Sequence, residues 1–316
     1  MKHRIDPKID CVFKALLGSE ENRNLLIHFL NAILASELSA PIATVDILNP
    51  YNDREFLDDK LSIVDVKAKD DKDQVYQVEI QLASYSYLPA RILYTWADIY
   101  SKQLKSGDKY LKLKPTYSIW LLGENLIQDE DDLDYAHVYQ LRDTKGKTLI
   151  DHGGIWLLEL EKFAAQRIEN DQQRWLQFFK KGDQFDDENA LPDWMNTPEM
   201  RQAMNTLSRF SEKERDYHTY QARQNYLRQQ HAIQWELEEE RRGKLLALLR
   251  EEAAMQRESQ AMQEKEAAMQ RESQAMQEKE AAMQRESQAV QEKDAALAEI
   301  ERLKALLNRD ASIVLP

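Results

Sequence analysis

The clearest pattern along the chain is a change of hydrophobic period. Phe13, Leu16 and Leu17, and then Leu25, Leu26, Phe29, Leu30 and Ile33, recur at helical spacing, which predicts helical segments separated at Gly18. Pro41 closes that stretch, a short apolar segment ATVDIL follows, and Asn49-Pro50 marks a turn. Across 60–82, KLSIVDVKAKDDKDQVYQVEIQL, the period falls to two. Tyr76, Val78, Ile80 and Leu82 alternate with Gln77, Glu79 and Gln81, and Val64, Val66 and Ala68 alternate with Ile63, Asp65 and Lys67. Two strands joined by a polar turn at Asp70 to Asp73 are predicted, and pairing them as a hairpin gives Asp65, Lys67, Glu79 and Gln81 one polar face.

A helix from about Leu88 to Leu104, a turn at Gly107 and strands at TYSIWLL (116–122), HVYQLRD and IWLLELEKF extend this into an α/β mixed sheet flanked by helices. From about residue 165 the pattern is helical, with Trp175, Phe178 and Phe179 as packing residues and a loop around Gly182 to Pro192. A further helical region, 198–235, carries Tyr217, Tyr220 and Tyr226, also read as packing residues. Three domains follow: a core over 1–165, a helical extension over 166–235, and a long charged helix over 236–310.

The last of these is built from repeats. EAAMQRESQAMQEK occupies 252–265 and 266–279, and returns at 280–293 with Val290 as its one change. Fourteen residues are two heptads, so Met255, Met262, Met269, Met276 and Met283 fall on one stripe. The companion seam position alternates between Ser259 and Glu266, which leaves the seam half built, whereas Leu297, Ile300, Leu303, Leu306 and Leu307 offer a firmer clasp. A self-associating coiled coil, with the chain as a homo-oligomer or dimer, stands beside a solvated single helix.

Composition narrows the function classes. The single cysteine, Cys11, excludes an internal disulfide or thiolate zinc site and fits a reducing cytoplasmic home. The opening MKHRIDPKID lacks an apolar signal core, and no apolar run reaches the length of a membrane span. A net charge of −13 excludes a surface that is basic all over, while leaving room for a local basic cleft. No phosphate-binding glycine loop, H-E-x-x-H helix or G-x-S-x-G elbow is present.

Asp65 and Glu79 carry the remaining chemistry. Phosphodiester cleavage places a divalent metal between carboxylates and a phosphate oxygen, and strands are rigid mounts for such ligands. Alternation alone favours ordinary solvent-facing charges on an edge hairpin, so periodicity does not carry the claim. Arg91, Tyr94 and Tyr100 on the following helix, with Lys102, Lys105, Lys109, Lys112 and Lys114 after it, form a candidate basic surface for phosphate contact or a merely solvated helix and loop.

The ordered segments DCVFKALLG, KLSIVDVKAKD, QVYQVEIQL, ARILYTWADIYSKQL, SGDKYLKLKPTYSIWLL and WLLELEKF resemble the Rpn family of recombination-promoting nucleases and transposase-like proteins within the PD-(D/E)XK superfamily, over about residues 4–230. The resemblance implies a restriction-endonuclease-like fold, followed here by a helical region and a coiled-coil-like helix. It also implies an endonuclease cutting DNA with Mg2+ or another divalent cation, linked to recombination, mobile elements or defence. It places the motif aspartate at Asp65, the second acid at Glu79, and Gln81 where such nucleases carry lysine. Glutamine offers hydrogen bonds in place of a full charge, so either Gln81 orients the water or Lys67 supplies the charge. Asp10 is a candidate further metal ligand, or a helix-start acid. The missing lysine keeps open a catalytically inactive scaffold working through its tail, and an RNase of the same fold is a third reading.

Overall fold

The computed structural model describes residues 2–49, 64–129, 131–185 and 191–311, except for the side chains of His231 and residues 306–311. Residues 60–63 of the predicted hairpin, Pro50 of the predicted turn, residues 186–190 of the predicted loop, and the Leu306 and Leu307 side chains lie outside that description. The chain divides into two compact units, residues 1–233 and 234–316.

In the first unit the early helical pattern becomes α1 (Asp10–Leu17) and α2 (Arg23–Ile33), with the periodic residues buried. Gly18 ends α1 where a Cβ would meet the Lys14 carbonyl oxygen at 2.9 Å and Val66 at 3.3 Å. A side chain there would push α1 off the sheet. The sheet contains β1 (Val45–Ile47), β2 (Val66–Asp70), β3 (Val75–Gln81), β4 (Thr116–Leu122), β5 (Ala136–Tyr139) and β6 (Gly153–Glu159), in the spatial order β1-β2-β3-β4-β6-β5. β3, β4 and β6 run parallel and the other pairs antiparallel. The expected α/β mixed sheet is thus present, with the predicted hairpin as β2 and β3.

Helices cover both faces. On one, α1, α2, α4 (Asp171–Lys181) and α5 (Pro198–Glu212) share a core with Tyr76, Val78, Ile80, Ile119 and Leu121. Trp175 is its aromatic centre, edge-on to Phe29 at 5.6 Å and to Phe178 at 5.8 Å, with its indole N–H donating to His28 Nδ1. On the other face, α3 (Leu88–Ser101) lays Leu88 and Ile92 over Trp120, Leu122, Ile155 and Leu157.

That second layer corrects the reading of β3 as a strand with a solvated polar face. β3 is a central strand roofed by α3, so Gln77 and Glu79 are 0% and 3% exposed. The sequence showed their alternation but not the roof. Tyr217 and Tyr220 pack as expected, whereas Tyr226 is 48% exposed under the Arg223 guanidinium, 5.1 Å from its ring centre.

Residues 234–311 of the second unit are helical throughout, continuing α6 (Glu214–Ala311). The five stripe methionines are 62–70% exposed, so the stripe finds no cover within this unit. Among the described residues no helix is long and apolar enough to cross a membrane.

Candidate active site

Asp65 immediately precedes β2 and Glu79 lies in β3, adjacent across the hairpin. Each carboxylate accepts a main-chain hydrogen bond from the other's side of the hairpin. The Asp65 N–H donates to Glu79 Oε1 at 3.0 Å, and the Ile80 N–H donates to Asp65 Oδ2 at 3.1 Å. This reciprocal clamp fixes both side chains through the backbone, the rigidity a ligand pair needs.

The second oxygen of each acid faces a cation. Lys14 Nζ of α1 stands 3.2 Å from Asp65 Oδ1, and Arg91 of α3 stands 3.8 Å from Glu79 Oε2. These cations do not neutralise the pair. Burial first, and then the charge of Asp65, push the Glu79 carboxyl up from 4.5 to about 8, against the lowering pull of Arg91, the Asp65 N–H and Gln77. Two adjacent carboxylates, the buried one holding a proton that a cation can displace, are a donor set suited to a hard divalent ion.

Gln81, the last residue of β3, is held at both ends of its amide. Its Oε1 accepts from Arg91 at 3.0 Å, and its Nε2 donates to the Ala83 carbonyl at 2.8 Å. Arg91 also reaches the Tyr85 hydroxyl at 2.6 Å and lies 5.5 Å from the Trp120 ring centre. Trp120 donates to Ser118, which donates to Gln77 Oε1, so a buried polar chain runs beneath the acids.

The sequence placed Arg91 among phosphate-contacting residues on the outside of a helix; the structure brings it into contact with Glu79 and Gln81. Lys14 was not singled out at all. The available signal was its position four residues after Asp10 on one helix face. Asp10 does not join the two acids: Arg223 holds it at 2.8 Å, with Lys14 at 3.9 Å. Among the described residues no three His, Cys, Asp or Glu side chains converge as a metal cage.

The remaining candidates lie further along the same side of the sheet. Lys67 and Lys102 line a cleft of about 570 Å3 together with Lys69, Lys112 and Lys114. Lys105 and Lys109 are exposed on the loop nearby and outside its lining. Glu159, also buried, accepts at its Oε1 from the Leu126 and Ile127 N–H groups and pairs with Lys162, which marks it as a loop anchor.

Against protein-family models, residues 7–236 match the PD-(D/E)XK nuclease family transposase. The match spans most of the chain, and the chain belongs to that family. The mixed six-stranded sheet with flanking helices agrees with its α/β fold. No curated protein and no solved structure matches the chain.

Proposed function

We propose that this protein is a metal-dependent endonuclease that hydrolyses DNA phosphodiesters at Asp65 and Glu79. The observation that carries the reading is the clamped acid pair, whose buried member is held above its ordinary titration range first by burial and then by its neighbour's charge. Asp65 and Glu79 would hold Mg2+ or a similar cation. When bound, such an ion polarises the phosphoryl oxygen and lowers the pKa of water.

The protein's own groups supply the rest. Arg91 provides the positive charge that Gln81 lacks, since its guanidinium spans both Gln81 and Glu79. Gln81, pinned by Arg91 and Ala83, keeps its amide in one orientation beside Glu79 and positions polar groups there. The Trp120–Ser118–Gln77 chain holds the floor of the site. Asp10 serves as an anchor for Lys14 and Arg223, and Lys67 as part of the neighbouring cleft.

The reading includes a homodimer joined along the C-terminal helix, supported by its exposed heptad stripe, and a cytoplasmic location, supported by the single cysteine. It also includes a role in recombination, mobile-element movement or defence, in keeping with the family's transposase description. The inactive scaffold is the second reading, favoured by Lys14 standing against Asp65 as an internal counter-ion.

The test is incubation of the full chain with supercoiled plasmid and Mg2+, beside EDTA and Glu79→Ala controls. Nicking or linearisation that needs both the ion and Glu79 supports the nuclease. No cutting of any nucleic acid with any divalent cation moves the assignment to the scaffold.

A further inference from the structure

We propose that the lysine-lined cleft beside the acid pair is a binding site for an unpaired polynucleotide strand, which it leads toward Asp65 and Glu79. The proposal rests on the nuclease reading for the strand's destination, while the cleft itself stands on separate observations.

The first is placement. Asp65, Lys67 and Lys69 share one side of the β2 segment, because Val66 and Ala68 between them point into the opposite core. Two residues along a strand advance about 6.6 Å, so positive charges stand at about 7 and 13 Å from Asp65 along one straight row. The end of α3 and the loop after it bring Lys102, Lys112 and Lys114 to the same cleft.

Charge is the second. Five lysines line the cleft against two carboxylates, Asp73 and Asp108, on a chain whose net charge is −13. Lys69 pairs with Asp73, Lys112 with Asp108, and Lys102 with Asp98 at 2.9 Å. The Lys69 and Lys112 pairs are partly exposed and contribute little, so a phosphate can take either lysine from its aspartate with small loss.

The third is aromatic surface, which decides between strand and duplex. Tyr110 is 83% exposed on the short 3-10 turn Tyr110–Lys112, whose Leu111 and Lys112 line the cleft. Tyr87 is 64% exposed at the start of α3, its ring 4.1 Å from that of Tyr85, which contacts Arg91. Tyr110 thus stands next to the groove's lining, while Tyr87 lies at the other end of α3, on the side of Arg91 and the acids. Exposed rings accept the faces of bases, which are available in an unpaired strand and stacked away in a duplex. DNA and RNA share this chemistry.

The experiment measures anisotropy of labelled mixed-sequence 20-mers, as single-stranded DNA, single-stranded RNA and duplex DNA, with full-length protein in EDTA across a salt series. Expected is at least about tenfold tighter binding of one single strand than of duplex, with the tighter of DNA and RNA naming the source. Combined Lys69→Ala, Lys112→Ala and Lys114→Ala should lower the magnitude of the log K against log salt slope by about 2. Tyr110→Ala should weaken the single strand by about tenfold with the slope unchanged. Lys114→Glu, a single surface reversal, checks the cleft should the triple variant melt early. Equal affinity for strand and duplex, or binding indifferent to these variants, overturns the proposal. Plasmid cutting measured in parallel separates the two claims. A nuclease that ignores the cleft variants sinks only the cleft, whereas cleft-dependent binding by a protein that cuts nothing sinks only the nuclease.

Discussion

Replacing Glu79 by glutamine removes the charge that the fold disfavours while keeping shape and an acceptor for the Asp65 N–H. With its carboxyl raised from 4.5 to about 8, the folded chain binds one more proton than the unfolded chain between those values. Stability from this group is therefore complete below pH 4.5 and is lost as pH rises through about 8. At about 1.4 kcal/mol per pH unit, the interval amounts to an upper bound of roughly 5 kcal/mol, a large share of the 5–15 kcal/mol of a typical domain. Glutamine does not titrate, so Glu79→Gln should match wild type near pH 5 and become progressively more stable than wild type toward pH 9. Urea midpoints at unit pH intervals, read by tryptophan fluorescence in EDTA, give the comparison. Parallel midpoints from pH 5 to 9 would refute the idea that burial and Asp65 strain this carboxylate.

Arg91→Ala should leave Glu79 harder to ionise, moving the rising limb of the pH-rate profile for DNA cleavage alkaline by roughly 1 pH unit; an unmoved limb would detach Arg91 from Glu79. Gln81→Lys, which restores the lysine of related nucleases, should destabilise the protein by on the order of 2 kcal/mol because the new charge meets Arg91. An unchanged urea midpoint would show that the two do not share space. Light scattering at micromolar concentration should give the mass of a dimer for the full chain and of a monomer after Leu297, Ile300 and Leu303 are changed to Ser; a monomeric full chain removes the coiled-coil reading.

Much of this was written locally in the sequence. Period two through Gln77, Glu79 and Gln81, set against Asp65 and Lys67, marked the hairpin and its polar side, because strand alternation depends on nearest neighbours alone. The roof over that side was not readable. It depends on α3 folding back over β4 and β6, with Arg91 reaching from it to β3, and Ile92 carries no mark saying which sheet face it will cover. Arg91 looked like a surface arginine for the same reason: its partners Glu79 and Gln81 are near in sequence but become contacts only after the crossover. The Asp10–Arg223 pair joins residues 213 positions apart, beyond any periodic signal. Lys69 carries no mark in its own segment, and only the meeting of β2 with the end of α3 makes a cleft of it.

The central claim is that Asp65 and Glu79 form a divalent-cation site. Isothermal titration of Mn2+ at pH 7 into wild type, Asp65→Asn and Glu79→Gln, in two buffers of different ionisation heat, tests it most directly. The expected result is one site per wild-type chain with release of about one proton as Glu79 gives up the one it holds, and loss of that site in both variants. Binding of equal strength in all three proteins, or no binding and no proton release in wild type, would contradict it.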